Sequence, residues 1–308
     1  MIAFGSSITA PDVYERCAGR GFGFAGEPDS EVIAQPAQGS IFRSYNLILQ
    51  RAAGYDDLEA LVLAHQDVEI VDPEFCAKVR RVLSDPDAGV IGCVGAIGVR
   101  SIAWWEGRVT WASSVYRSEE HGMDFPAWIP DGWSRTDPSD AFRTGEVDTV
   151  DGVLMAFSPW AVRNVRFDES LGPIYGFDFD FCMQVRAAGR KVVTENLRVA
   201  HPYPLAVVKD PDTWIEAHMT AADKWDGRLP NASAEEVDWH RRARRAEGEA
   251  AAARLLSATK MYEIQALTWK QERELEAATD SLSWRITAPL RQVNALRKQR
   301  ARRNAPTR

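Results

Sequence analysis

No uninterrupted apolar stretch of the 308-residue chain approaches the ~18 residues that a membrane-crossing helix needs. Cysteine is scarce: Cys17, Cys76, Cys93 and Cys182 are scattered. Their spacing fits neither a zinc module nor a disulfide framework, and a reduced, cytosolic chain is the simplest reading. The start, Met1-Ile2-Ala3-Phe4-Gly5, lacks a basic segment ahead of its apolar residues and reads as a first strand, not a signal peptide. The Gly-rich stretch Gly19 to Gly26 lacks the Lys-Ser/Thr ending of a P-loop and is read as a loop, not a phosphate cradle. After Asp280 there is no acidic residue. The overall charge of -7 divides into roughly -13 up to Pro230 and roughly +6 beyond it. An acidic main part without a readout motif argues against nucleic-acid binding.

Helical and extended patterns alternate along the acidic part. Ser40 to Ala53 carries apolar residues on one face and ends at Gly54. Leu61 to Ala64 is a short buried-strand pattern. Asp72-Pro73-Glu74 opens another helix. Gly89 to Val99 reads as one tightly packed strand, and Trp105 to Arg108 as a hairpin turn between Ile102–Trp104 and Val109–Trp111. Ser118 to Glu146 has no period, as in a long loop that is either functional or disordered. Val147 to Phe157 is strand-like, and Asp178 to Ala188 fits a helix closed by Gly189. The expectation is an α/β domain over 1–230, a mostly parallel sheet flanked by helices. From about Ala234, Ala, Glu, Arg and Leu dominate, so 231–308 is expected to be a helical arm ending in a basic amphipathic tail.

Three stretches end in acid or imidazole side chains after apolar runs: Ala64-His65-Gln66-Asp67, Gly176-Phe177-Asp178-Phe179-Asp180, and Leu197-Arg198-Val199-Ala200-His201. Each has a purely structural explanation. Asp67 suits a cap, Asp178 and Asp180 suit a helix start, and His201 before Pro202 suits a turn. Open α/β sheets, however, place their sites at the carboxyl edge where such strands end.

The order of these stretches, with Val150-Asp151-Gly152-Val153, Arg166-Phe167-Asp168-Glu169 and Ala188-Gly189-Arg190 between them, resembles bacterial glycosyltransferases of family 2. Those enzymes have the GT-A fold, a Rossmann-like sheet. The streptomycin-biosynthesis-type branch is the most similar, its usual acidic metal motif appearing as His-Gln-Asp. The resemblance runs from about Met1 to Tyr203. It implies a metal-dependent, inverting transfer of a sugar from a nucleotide-sugar donor to a hydroxyl of a glycan or lipid-linked acceptor, in the manner of cell-envelope polysaccharide synthesis. Asp178 would be the base, and Asp67 and His201 would be metal ligands. The cation would be Mn²⁺ rather than Mg²⁺, because imidazole is a softer ligand.

Around that centre, His65, Gln66, Asp151, Gly152 and Asp180 are expected at the donor or acceptor, with Trp128 and Trp133 as acceptor contacts. Glu31 is the candidate for reading the nucleotide base. Two departures stand out: His65 replaces an acid of the usual metal motif, and Phe177 replaces the acid before the base. The loss at His65 supports a rival reading, a degenerate domain that scaffolds through an oligomerising arm. A sugar-phosphate nucleotidyltransferase is a second rival, disfavoured because Gly19 to Gly26 comes late and carries only Arg20. Ser281 to Arg291, with Trp284 and basic residues around Ile286 and Leu290, suits peripheral contact with anionic lipid. That would put a cytoplasmic enzyme at the inner face of the plasma membrane.

Overall fold

A computed structural model describes residues 1–112, 114–118, 123–126, 144–201, 210–225, 228, 239–280 and 286–287. Two compact units divide the chain, Met1–Ser233 and Ala234–Arg308.

A seven-stranded sheet organises the first unit. Its strands are β1 (Ile2–Ile8), β2 (Glu31–Pro36), β3 (Ala60–Ala64), β4 (Ala88–Gly92), β5 (Gly145–Val147), β6 (Leu154–Phe157) and β7 (Lys191–Thr194), in the spatial order β5-β7-β4-β6-β3-β1-β2. β1 pairs in parallel with β2 and β3, and β7 in parallel with β4. β6 runs antiparallel between β3 and β4, and β5 antiparallel on β7. Five strands therefore share one direction, the mostly parallel sheet expected.

Helices cover the sheet. Helix α1 (Ile41–Ala52) buries Phe42, Tyr45, Ile48, Leu49 and Ala52, the i, i+3, i+4 stripe of a core-facing helix. Helices α2 (Phe75–Leu83), α3 (Phe177–Ala187) and α4 (Pro211–Trp225) follow. β3 is buried along its whole length, as parallel strands covered on both faces are.

Several local expectations are corrected. Gly19 to Gly26 is not a loop: Glu15–Gly19 forms a π-helical turn and Arg20–Ala25 an α-helix. A Cβ on Gly21 would lie 2.4 Å from the Ile70 backbone nitrogen, so this glycine permits close backbone packing. Gly89 to Val99 is two strands, because Val94–Ile97 leaves the main sheet and pairs with Thr149–Val150 and Arg108–Ala112. The supposed hairpin turn is a 3₁₀ turn, Trp104–Glu106. A second small sheet joins Glu69–Ile70, Val199–His201, Ser114–Ser118 and Met123–Pro126.

In the second unit, helix α5 spans Trp239–Asp280. Met261, Ile264, Leu267, Trp269 and Leu275 are exposed on it. Among the described residues, no helix is long and apolar enough to cross a membrane. Apart from Ile286 and Thr287, the expected lipid-binding stretch Ser281 to Arg291 lies outside the described residues, as do Trp128 and Trp133.

Candidate functional site

A cavity of about 740 Å³ opens at the carboxyl edge of the parallel strands. β3 delivers the first side chains. The strand ends at Ala64, and the His65 N–H donates to the Val153 carbonyl at 3.1 Å. This bond ties the His65 turn to the start of β6. Because β6 is reversed, its entry residues Asp151 and Gly152 arrive at the edge that β3 is leaving. His201 ends a strand of the four-stranded sheet and reaches the same place. The third contributor is α3, whose first turn carries Asp178. Gly176 precedes that turn at φ 81°, in the left-handed region that glycine favours.

His65, Asp67 and His201 offer ligand atoms that all lie within 4.8 Å of one another. His201 Nε2 is 3.5 Å from Asp67 Oδ1. His65 Nε2 is buried with no hydrogen-bond partner, and a buried unpaired ring nitrogen calls for an occupant. Burial lowers the His65 pKa, against the charge of Asp67. Burial raises that of Asp67, but the hydrogen bond and charge of His201, with His65, outweigh it and bring the carboxyl below its ordinary value. A lowered His65 pKa beside a lowered Asp67 pKa favours the neutral ring and ionised carboxylate that bind cations. Two imidazoles and a carboxylate fit a first-row divalent ion better than the all-oxygen sets that suit Mg²⁺.

Asp178 and Asp151 form the other half of the site. Asp178 Oδ2 accepts the Gly152 N–H at 2.9 Å and Oδ1 accepts the Phe179 N–H at 2.8 Å. Burial first, then the charge of Asp151, pushes its pKa up to about 7. Asp151 accepts the Val153 N–H at 2.7 Å and a hydrogen bond from the Trp104 side chain, and burial raises its pKa as well. Two half-buried carboxylates thus line one cavity, and the Asp151 charge makes Asp178 harder to ionise.

Four expected residues behave differently from the rest. Gln66 lines the cavity, but its Oε1 accepts the N–H groups of Thr9 and Ala10 at 2.9 and 2.8 Å, and its Nε2 donates to Thr9 Oγ1. Its amide fastens the β1 turn. Gly152 brings its backbone, not a side-chain group; a Cβ there would lie 2.2 Å from the Phe177 ring. Asp180 does not reach the cavity. It is fully buried, taking bonds from Trp225 Nε1, Lys224 Nζ and Gln184 Nε2. Two helical residues turn the side chain about 200° away from Asp178. Glu31 opens β2, at the end of that strand remote from the cavity. The residues that follow β1 and β2 at the cavity are Thr9, Gly39 and Ser40. Trp105, Tyr175 and Trp214, which no motif singled out as site residues, line its wall.

A model described as a glycosyltransferase-like family matches residues 23–224. The streptomycin biosynthesis protein StrF of Streptomyces griseus is 31% identical over 208 residues. The alignment covers 64% of this chain and 65% of that protein. Among solved structures, GalNAc-T7 with UDP, GalNAc and Mn²⁺ gives a TM-score of 0.47 at 12% identity, covering 73% of this chain and 48% of that one. The mannosyltransferase PcManGT from Pyrobaculum calidifontis, in complex with GDP-Man and Mn²⁺, gives 0.40 at 13% identity, covering 82% and 80%.

Proposed function

This chain belongs to the glycosyltransferase-like family, and from that premise we propose that it moves a sugar from a nucleotide-sugar donor to a hydroxyl of a glycan or lipid-linked acceptor. The observation that carries the reading is the meeting, in one cavity, of a His65-Asp67-His201 ligand set and the Asp178 carboxylate.

Asp178 is the base. Its carboxylate accepts the acceptor hydroxyl's proton while that oxygen forms a bond to the anomeric carbon. The bond from that carbon to the donor's phosphate oxygen breaks, and its electron pair leaves with the nucleoside diphosphate. Attack opposite the leaving group inverts the anomeric configuration in one displacement. The Gly152 and Phe179 N–H groups hold the carboxylate in place, and burial raises its basicity towards neutrality. His65, Asp67 and His201 would hold the divalent cation, Mn²⁺ in preference to Mg²⁺. When bound, that cation neutralises charge developing on the leaving diphosphate. Asp151, at the mouth of β6, binds a sugar hydroxyl. The ends of β1 and β2, with Thr9, Gly39 and Ser40, receive the nucleotide.

Isothermal calorimetry of UDP and GDP, with Mn²⁺ and with chelator, tests this reading. Metal-dependent binding that disappears in Asp67→Ala is expected. Binding of neither nucleotide under either condition would leave the scaffold reading in possession.

A further inference from the structure

The geometry points to a specificity wall that the family motifs do not include: Trp105 and Trp214 stack against the C–H face of the acceptor's sugar ring. This rests on the glycosyltransferase reading and names the part of the acceptor that the site recognises.

The two indoles come from distant parts of the chain. Trp105 sits on the 3₁₀ turn Trp104–Glu106, and Trp214 on α4. Their ring centroids are 6.2 Å apart at 36°. Both are half-buried and line the cavity. Trp104 packs edge-on against Trp105 at 5.8 Å and 81°, and His218 stacks on Trp214 at 5.2 Å and 21°. The wall is therefore backed on both members.

It is also fixed relative to the base. Lys224, on the last turn of α4, bridges Asp168 and Asp180 at 2.6 and 2.7 Å. Trp225 donates to Asp180. At the other end of α4, the Asp210 N–H donates to the Tyr175 hydroxyl. Asp180 and Asp178 share one helix, so the wall and the base rest on a common frame.

Sheet order assigns this flank to the acceptor. Ser7 near the end of β1, and Thr9, Gly39 and Ser40 after β1 and β2, lie on one side of β3. Trp105 follows the strand that continues β4, on the other side of β3. The chemistry narrows the occupant further. Trp104 donates to Asp151, which places a carboxylate beside the aromatic wall. An aryl face next to a carboxylate matches a pyranose ring, apolar on its C–H face and hydroxylated at its edge.

The experiment uses the full chain with UDP or GDP and Mn²⁺, and a panel of methyl and p-nitrophenyl hexosides as probes. Saturation-transfer NMR should show contact through the ring C–H protons, and titration should give an affinity. Trp214→Ala and Trp105→Ala should each weaken hexoside binding roughly tenfold or more, with nucleotide affinity unchanged. Trp214→Phe should recover part of the loss, which guards against a folding defect. The wall is refuted if no hexoside binds the parent chain, or if the alanine variants bind it as well as the parent. It is equally refuted if the variants lose nucleotide affinity, because the indoles would then hold the donor base. Failure of the parent to bind any nucleotide is a separate result, and that one removes the glycosyltransferase reading itself.

Discussion

The Gly152 backbone N–H and the Asp178 carboxylate are joined by a 2.9 Å hydrogen bond across 26 residues of chain. It fixes the proposed base against the entry to β6, and it requires a residue without a side chain. A Cβ on Gly152 would lie 2.2 and 2.4 Å from two Phe177 ring carbons. Gly152→Ala is expected to lower transfer at least ~100-fold and to cost about 1–3 kcal/mol of stability. Steady-state kinetics and a denaturant titration of the same preparation measure both.

Asp178 supplies a pH signature. Its pKa in the fold is pushed up to about 7, against an ordinary value of 3.8, by burial and the Asp151 charge. With Asp178 as the proposed base, the active form is the carboxylate, so transfer should fall as pH drops through about 7. For stability the sign is the reverse. The folded state holds this proton more tightly than the unfolded chain does, so ionisation destabilises the fold as pH rises from about 4 to about 7. Asp178→Asn should abolish transfer. Without added metal, it should also melt above the parent at about pH 8 and with it near pH 4. Thermal melts at the two pH values check this.

The proposed metal set makes a prediction about His65. His65→Ala should weaken Mn²⁺ binding roughly 10- to 100-fold. His65→Asp restores an acidic motif and should shift preference towards Mg²⁺. Competitive calorimetry of the two ions on each variant reads the change directly, without any turnover.

Asp180 should act on the fold before the chemistry. Its buried carboxylate holds Lys224, Trp225 and Gln184, and removing one partner of a buried ion pair costs about 3–5 kcal/mol. Asp180→Ala is expected to lose that order of stability. A urea midpoint that does not move would count against the role.

The sequence made one class of site residue legible: polar side chains that end an apolar run. His65, Asp67, Asp178 and His201 have that signature, and the fold brings all four to one cavity. Two neighbouring positions carry the same local signal but different fates. Gln66 spends its amide on the β1 turn, and Asp180 is carried round the helix into the core. Neither is visible from spacing without the partner elements. Trp105 and Trp214 lie 109 positions apart in the numbering and meet only because α4 returns to the 3₁₀ turn; no local pattern encodes that. The Arg20–Ala25 helix was hidden by its own composition. Glycine usually marks a loop, whereas here Gly21 serves a backbone contact with Ile70.

The reversed strand β6 has a consequence for how this family member can vary. Its pairing Leu154↔Ala64 and Met155↔Leu63 is the ruler that sets His65 opposite Val153. Deleting one residue between Asp151 and Leu154, or between Ala64 and Asp67, would shift one partner by about 3.3 Å and turn alternate side chains to the other face. Asp178 would keep its helix and the imidazole its strand, but the two halves of the site would no longer meet. Length changes at these two junctions should therefore be tolerated far less than substitutions at the same positions, an asymmetry that a scan of single-residue deletions across 64–67 and 151–154 would display.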